Sequence, residues 1–264
     1  MDKLEYFPIP KIVHLSYKSE EEILPMWKEV LPAWKKTNPT WEIKFWSDEE
    51  NERLIQEEFP WFYETYKNFN YNIQRADAVR CCYLYKYGGL YIDMDHLPIE
   101  KIDTIFYNNE NKNDNQIYLT MSSNVPRFTN SFMASKPGCK FWIDYLREIS
   151  NTKTKWYWTN FFEVMNTTGP MQLDKLVKKT NITIGYINPN LIQPCDMCNV
   201  TDKCSSIYLK KIQGQTWNLV DSKIVNFLFC NKKFTIILII LILYIIFYFS
   251  SKDYICKYSC KKNK

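Results

Sequence analysis

Apolar and polar positions in the first part of the chain follow the two spacings that mark helices and strands. Apolar residues recur at three- and four-residue steps over residues 20–37, which predicts a helix. Pro32 lies inside this stretch and should kink or divide the helix. Residues 41–46 alternate apolar and polar, as a half-buried strand does. Ser47 and Glu50 then form a capping box, so a second helix begins there.

Residues 75–98 combine both patterns in a short segment. The first half has helical spacing, and the double glycine at 88–89 then ends the helix, because glycine tolerates positive φ. The apolar run 90–92 is too short for a helix and predicts a buried strand. It is followed by Asp93 and Asp95, which would point the same way on a strand. The carboxyl end of a strand is where open α/β sheets bind ligands.

The two carboxylates of Asp93 and Asp95 carry the candidate chemistry. Such a pair suits a hard divalent cation, which keeps several waters and is shared with substrate phosphates. An isolated D-x-D more often marks a solvated turn, so the context decides. The preceding helix carries Arg75, Asp77 and Arg80. Asp77 and Arg80 share a helix face, where they either meet a ligand or form a surface ion pair of little energetic weight.

Composition narrows the class of protein. The chain has 264 residues, 46% of them hydrophobic and 24% charged, a balance that argues against wholesale disorder. At this length the soluble part is one large domain or two small ones, and one α/β domain is the simpler expectation. The net charge of +5 is modest, many lysines lie near the C-terminus, and no segment combines basic and aromatic residues in the manner of a nucleic-acid site. We therefore expect no nucleic-acid partner.

A run of sixteen residues, 234–249, contains Thr235 as its one clearly polar residue. Lysines at 232, 233 and 252 flank the run and can snorkel, which extends the apolar span towards transmembrane length. We expect a membrane anchor rather than a buried core helix. The predicted organisation is a catalytic domain at 1–231, an anchor at 232–252 and a basic tail at 253–264.

The side of the membrane on which the domain lies is open at this level. Residues 1–10 have no apolar core of a signal peptide, which favours insertion after synthesis and a cytosolic domain. The lysine-rich tail favours the opposite orientation, with the domain in a lumen of Golgi or ER type. The N-x-S/T sites at Asn166, Asn181 and Asn199 are compatible with a lumen.

Nine cysteines include a C-x2-C-x5-C cluster formed by Cys195, Cys198 and Cys204. A structural zinc site needs four ligands, and neither of the two histidines is nearby. Disulfides or free thiols are therefore preferred over zinc.

The central segment resembles a known family. R-A-D-x-x-R at 75–80, Y-G-G-x-Y-x-D-x-D at 87–95 and the following Leu-Pro are similar to the DXD-containing sugar transferases. These include the fungal initiating α-1,6-mannosyltransferases and the mannosyl-inositolphosphoceramide synthases, with the glucosylating domains of clostridial toxins as more distant relatives. The resemblance implies an α/β fold of GT-A type, a nucleotide-sugar donor such as GDP-mannose or a UDP-hexose, and Mn²⁺ or Mg²⁺ held by Asp93 and Asp95.

The resemblance also assigns site residues. Asp77 would contact the ribose or base and Arg80 the phosphates, and Asn130 would lie near the donor sugar. The residues expected on the nucleotide side are Asp77, Arg80, Arg75, His14 and Lys211. A histidine at a strand end is more often a hydrogen-bonded structural residue. Thr168-Gly169-Pro170 matches a turn on the acceptor side of the cleft.

The C-terminal part departs from the family pattern. Trp217 matches a tryptophan that contacts the transferred bond, but the metal ligand expected just upstream is absent, and lysines 210 and 211 occupy that window. A lysine can bind diphosphate directly as a point charge. Weak metal binding, or Asp221 as a substitute ligand, are the other interpretations.

The leading hypothesis is a membrane-anchored, metal-dependent hexosyltransferase, retaining by resemblance, that acts on a glycan, lipid or protein acceptor. Asp93, Asp95, Asn130 and Trp217 are its candidate catalytic residues. The alternative is a catalytically inactive nucleotide-sugar-binding membrane protein. A D-x-D phosphohydrolase ranks below both, because Leu97 stands where that motif has Thr or Val.

Overall fold

The computed structural model describes residues 7–107, 116–123, 125–193, 195, 198, 205–212 and 220–262. The chain divides into two compact units, Met1–Trp217 and Asn218–Lys264. The domain boundaries predicted from the sequence stay a prediction. Most of the asparagine-rich stretch 108–116 and the residues Asn199, Cys204 and Trp217 lie outside the described residues.

The first unit contains the strands and most of the helices. The strands are β1 (Ile12–Ser16), β2 (Glu42–Trp46), β3 (Gly89–Ile92), β4 (His96–Pro98), β5 (Ile117–Met121), β6 (Phe128–Ser135), β7 (Ile184–Ile187) and β8 (Leu209–Lys211). The helices are α1 (Val30–Thr37), α2 (Asp48–Glu58), α3 (Pro60–Lys67), α4 (Asn72–Lys86), α5 (Asp103–Tyr107), α6 (Lys140–Asn151), α7 (Asn160–Thr167), α8 (Pro170–Lys179) and α9 (Pro189–Ile192). The second unit contains α10 (Val220–Cys230) and α11 (Lys232–Lys262).

Six strands form a mixed sheet in the order β2-β1-β3-β6-β5-β7. The pairs β1-β2, β1-β3 and β5-β7 are parallel, whereas β6 is antiparallel to both β3 and β5. Strands β4 and β8 form a separate antiparallel pair. The predicted α/β fold with a mixed sheet is confirmed. Strand β1 begins two residues after Pro10, so the proline removes no ladder hydrogen bond, and β1 pairs on both sides.

Several local sequence signals have the expected structural effect. The helix over residues 20–37 is divided: a short 3-10 helix covers Pro25–Trp27 and α1 begins at Val30, which puts Pro32 in a first turn. Ser47 caps α2 through the predicted box, with the Glu50 amide 3.2 Å from its hydroxyl. The local pattern therefore determines these helix boundaries.

The double glycine joins α4 to β3 in a conformation that other residues rarely adopt. Gly88 and Gly89 have φ values of 66° and 87°. A Cβ at Gly89 would lie 2.5 Å from the carbonyl oxygen of Ile12. Glycine is thus required both by the backbone angle and by the close approach of β1 to β3.

Two apolar clusters cover opposite faces of the sheet. Neighbouring residues of β3 belong to different clusters, since Leu90 and Ile92 pack with α1 residues while Tyr91 packs with α4 and α6 residues. This division follows from the period of two along a strand. Helix α4 lies between the sheet and the outer helices, and its central residues 77–84 are buried.

In the second unit, Lys232–Ser250 of α11 is long and apolar enough to cross a membrane. These 19 residues have a mean hydropathy of 2.4, and none of that segment is buried. A span of about 20 apolar residues matches the thickness of a bilayer core. The predicted C-terminal apolar helix is therefore present.

His14 lies at the centre of the first unit rather than at a ligand site. Its Nε2 atom is 2.8 Å from the carbonyl oxygen of Gly88, and its Nδ1 accepts a hydrogen bond from the Trp46 indole at 3.1 Å. The ring is fully buried and stacks on Tyr83. Burial lowers the pKa of His14 to about 4, so the histidine is neutral in the folded protein. Both nitrogens are occupied, which leaves neither for a nucleotide.

This environment predicts an acid-dependent loss of stability. An unfolded histidine with a pKa of 6.5 binds a proton that folded His14 rejects, so stability falls as pH drops from 6.5 towards 4. We expect His14 to account for a loss of about 3 kcal/mol by pH 4. Urea unfolding of the detergent-solubilised chain at a series of pH values measures this loss.

The matched variant is His14→Gln, which keeps polar groups but cannot titrate. As the pH drops from 6.5 to 4, its free energy of unfolding should fall by about 3 kcal/mol less than that of the wild-type chain. Equal acid sensitivity of the two proteins would contradict the assignment.

Candidate active site around Asp93 and Asp95

Asp93 and Asp95 lie in a turn between two strands. Strand β3 ends at Ile92, and the amide of His96 at the start of β4 donates to the Asp93 carbonyl oxygen at 3.2 Å. The prediction that both carboxylates lie on one strand is wrong, because β3 ends at Ile92 and residues 94–95 form a turn before β4 begins at His96. The predicted location at the carboxyl end of an interior strand is correct.

Asp93 is held on one side and open on the other. Its Oδ1 accepts a hydrogen bond from the Tyr91 hydroxyl at 2.8 Å and lies 3.4 Å from Nη1 of Arg80. About a third of the side chain, 34%, is exposed. Burial raises the pKa of Asp93, Arg80 opposes that rise, and the charge of Asp95 adds to it.

Asp95 is surrounded by positive or potentially positive groups. Its Oδ1 lies 2.6 Å from Nδ1 of His96, although the angles do not make a hydrogen bond, and its Oδ2 lies 3.6 Å from Nζ of Lys211. Burial alone would raise the pKa of Asp95, but His96 and Lys211 together lower it. Lys211 reaches this position because β8 pairs with β4 in a register that places it opposite His96.

Asp77 is the centre of a buried polar network beneath this turn. Its Oδ1 accepts a hydrogen bond from the Asn130 side chain at 2.9 Å and pairs with Nη2 of Arg80 at 2.9 Å. Its Oδ2 accepts from the Thr168 hydroxyl at 3.0 Å. Burial raises the pKa of Asp77 to about 6 while Arg80 opposes the rise, so the carboxyl is still ionised at neutral pH.

Arg80 connects this network to the aspartate turn. Besides its contacts with Asp77 and Asp93, it donates from Nη1 to the Asn130 carbonyl oxygen at 2.7 Å. Its guanidinium lies 4.5 Å from the centre of the Tyr91 ring. Only 3% of Arg80 is exposed, so the surface ion pair considered for Asp77 and Arg80 is wrong. The guanidinium therefore links Asp93 to the buried network around Asp77.

The remaining predicted residues are distributed unevenly. Arg75 donates from Nη1 to the Phe69 carbonyl oxygen at 2.9 Å and also contacts Asn72, so it fastens the segment before α4. Lys211 does lie at the aspartate turn. Trp217 lies outside the described residues.

Sequence reasoning missed Tyr91 and His96. Tyr91 lies on β3, two residues before Asp93, so the period of two along the strand that leads to Asp93 was a usable signal. His96 is fully buried, and nothing in its sequence position separated it from the surrounding strand residues.

Asp93 and Asp95 are the residues of the turn that could hold a divalent cation. Among the described residues there is no group of three or more His, Cys, Asp or Glu that could hold a metal ion. Asp95 nevertheless has a buried Oδ1 without a hydrogen bond, and Asp93 is partly open. Two carboxylates are enough for Mg²⁺ or Mn²⁺ when substrate phosphates and waters complete the shell. The site fits a cation that is shared with a diphosphate.

The described cysteines of the first unit are disulfide-bonded or free thiols, the two states preferred over zinc ligands. Cys195 and Cys198 are engaged in disulfide bonds, as is Cys230. Cys81, Cys82 and Cys139 are buried free thiols.

The segment that contains the aspartate turn is similar to a known family. Residues 25–113, which include α4, the double glycine and the aspartate turn, match the family model described as "Glycosyltransferase sugar-binding region containing DXD motif". The predicted resemblance to the DXD-motif glycosyltransferases is therefore confirmed.

Individual relatives are named for mannose transfer. Mannosyl phosphorylinositol ceramide synthase SUR1 of Saccharomyces cerevisiae is 28% identical over 225 residues, which cover 83% of this chain and 54% of that protein. Inositol phosphoceramide mannosyltransferase 3 of Schizosaccharomyces pombe is 30% identical, covering 62% of this chain and 44% of its own length. The chain thus spans about half the length of these relatives. A solved structure titled PaToxG Glycosyltransferase aligns with a TM-score of 0.49 and 14% identity, over 65% of this chain and 70% of that chain.

The buried network predicts a large difference between two arginines of α4. Arg80→Met leaves Asp77 as an unpaired buried charge, which should destabilise the fold by about 3–5 kcal/mol. The matched variant Arg75→Met removes a partly exposed arginine and should cost about 1 kcal/mol or less. Thermal unfolding in detergent measures both. Similar losses for the two variants would show that Arg80 does not hold the network.

Proposed function

We propose that this chain transfers a hexose, with mannose as the first candidate, from a nucleotide-diphosphate sugar to a sphingolipid acceptor. The observation that carries the proposal is the aspartate turn at the end of β3, where Arg80 pairs with Asp93. The names of the relatives support mannose and an inositol phosphoceramide acceptor. GDP-mannose is accordingly the first donor to test, with UDP-hexoses next.

In this proposal Asp93 and Asp95 hold a Mn²⁺ or Mg²⁺ ion together with the donor diphosphate. The cation would supply Lewis-acid stabilisation of the departing nucleoside diphosphate. Arg80 orients the Asp93 carboxylate and opposes the rise of its pKa that burial causes. Lys211 contributes a further positive charge on the side of Asp95, where a diphosphate would lie.

Asp77 and Asn130 serve as positioning residues rather than direct donor contacts. Both oxygens of Asp77 already accept hydrogen bonds or ion pairs, and the Asn130 amide donates to one of them. Their role is to fix Arg80 and the start of α8 relative to the turn. Trp217 remains the proposed contact to the transferred sugar.

We place the catalytic domain in the lumen of an internal membrane of Golgi or ER type, anchored by residues 232–250. Disulfide bonds at Cys195 and Cys198 support an oxidising compartment. The lysines that follow the apolar helix support a cytosolic tail. Of the N-x-S/T sites, Asn181 is exposed, whereas Asn166 is buried and donates to the Phe162 carbonyl oxygen at 2.8 Å. Glycan attachment at Asn181 would report a luminal domain.

One observation favours the second candidate, an inactive nucleotide-sugar-binding protein. Lys211 lies close enough to Asp95 to compete with a metal ion for its carboxylate. The two candidates differ in turnover, and both require donor binding.

The first test of function uses the carboxylates. The full chain in nanodiscs is incubated with a panel of nucleotide sugars, Mn²⁺ and inositol phosphoceramide, and both free nucleoside diphosphate and glycolipid are measured. Asp93→Asn and Asp95→Asn should each lower turnover roughly a hundredfold or more, because a preorganised charge at the leaving group is lost.

The matched variant is Asp144→Asn, an aspartate on α6 that pairs with Lys140 away from the turn. It should leave turnover unchanged. Donor binding without product in the wild-type chain would overturn the transferase and support the inactive protein.

A second test concerns Lys211 and needs no turnover. Removing its charge 3.6 Å from Asp95 should tighten Mn²⁺ binding in the absence of nucleotide. We expect about a tenfold lower Kd for Lys211→Met by calorimetry, equal to about 1.4 kcal/mol. The neighbouring Lys210→Met, which removes an exposed lysine, is the control. An unchanged Kd in Lys211→Met would mean that Lys211 does not shield the carboxylate.

A further inference from the structure

The connection between α6 and α7 presents aromatic rings to solvent. Residues 153–158 read K-T-K-W-Y-W and are called here the aromatic-lysine loop. Trp156 is 95% exposed and Tyr157 is 58% exposed. By contrast, Trp34 and Trp142 are fully buried in the same unit. A tryptophan that is almost wholly in water loses the burial that normally stabilises this residue, so its position needs a reason.

Hydrogen bonds hold both ends of the loop, which indicates that the position of its tip is defined by the fold. Before it, the Thr152 hydroxyl donates to the Glu148 carbonyl oxygen at 2.7 Å and accepts from the Gln172 side chain at 3.0 Å. After it, the side chain of Asn160 accepts a hydrogen bond from the Tyr71 hydroxyl at 2.5 Å. Both ends are thus tied to other helices.

Within the loop, rings and ammonium groups are arranged together. The rings of Trp156 and Tyr157 meet edge to face with centres 5.7 Å apart. Nζ of Lys155 lies 5.7 Å from the centre of the Tyr157 ring and 5.6 Å from that of Trp158. Lys153 adds a second exposed positive charge, and residues 153–158 include no acidic side chain.

This combination fits one kind of partner better than others. Tryptophan and tyrosine are enriched at the headgroup level of bilayers, where their rings meet both apolar chains and polar groups. Lysines beside them are attracted to anionic headgroups. A sugar-binding platform would pair a ring with amide or carboxylate hydrogen-bond partners, and the tip of this loop carries neither.

We propose that the aromatic-lysine loop docks the first unit onto an anionic lipid surface, with Trp156 and Tyr157 at headgroup depth. A single anchor helix attaches a domain to a membrane without fixing which face turns to the lipid. A second contact fixes that orientation. The consequence for catalysis, delivery of a lipid acceptor to the site, rests on the proposed function, whereas docking itself does not.

The test uses the tryptophans of the full chain. The apolar segment 232–250 contains no tryptophan, so quenching by lipids brominated in the upper part of their acyl chains reports contacts made elsewhere in the chain. In nanodiscs of brominated phosphatidylcholine and phosphatidylserine, part of the tryptophan emission should be quenched. Trp156→Phe should remove at least half of the quenched part.

The matched control is Trp61→Phe, which removes a tryptophan on α3 that is 49% exposed. It should leave the quenched part unchanged. The charge-reversed variant Lys153→Glu/Lys155→Glu should reduce quenching when phosphatidylserine is present, and omitting phosphatidylserine should have the same effect on the wild-type chain. Equal quenching of the wild-type chain and Trp156→Phe, or no quenching in either, would overturn the proposal.

A kinetic measurement separates docking from catalysis. Lys153→Glu/Lys155→Glu should raise the KM for the lipid acceptor several-fold and leave the release of nucleoside diphosphate to water unchanged. Quenching at Trp156 in a chain that transfers no sugar would leave docking intact and count against the proposed function alone. If the lysine substitutions leave turnover on the lipid acceptor unchanged and Trp156 is not quenched, the result would count against docking alone.

Discussion

The buried ion pair between Asp77 and Arg80 is the constraint on which the candidate site depends. Removing two charges from water is costly unless their remaining hydrogen-bonding groups are satisfied. Here Asn130 and Thr168 complete the shell of Asp77, and the backbone of β6 accepts from Arg80. Because each partner belongs to a different element, the pair fixes α4, β6 and the start of α8 together. The contact of Arg80 with Asp93 connects the aspartate turn to this network and so helps to fix its position.

The parts of the fold that the sequence predicted correctly are those with local causes. Pro32 divided the first helical stretch, the Ser47 and Glu50 box began α2, and the double glycine ended α4. Each signal acts within a few residues through backbone angles or a missing donor, so it does not depend on the rest of the chain. The apolar run after the glycines was also informative. A strand that is buried on both faces needs apolar side chains at every position, so a short continuous apolar run indicates an interior strand.

The errors concern properties that arise from distant parts of the chain. The burial of the Asp77–Arg80 pair depends on β6 and on Thr168, just before α8, and the enclosure of His14 depends on Trp46 and Gly88. No spacing within α4 distinguishes a buried arginine from an exposed one. The turn at Met94 was likewise hidden, because an apolar residue between two aspartates has the same pattern on a strand and in a turn. The contact of Lys211 with Asp95 follows from strand register alone.

The charge balance at the turn constrains how a ligand can enter. Asp93 faces Arg80, which also pairs with Asp77, and Asp95 faces Lys211, so the two carboxylates are partly compensated from within the protein. A divalent cation arriving alone would meet two positive side chains at short range. A cation that arrives with a diphosphate brings its own negative charge, which Lys211 can then share. Under the proposed function, the arrangement favours joint binding of metal and nucleotide over a metal ion held permanently by the protein, which would couple occupation of the site to the donor.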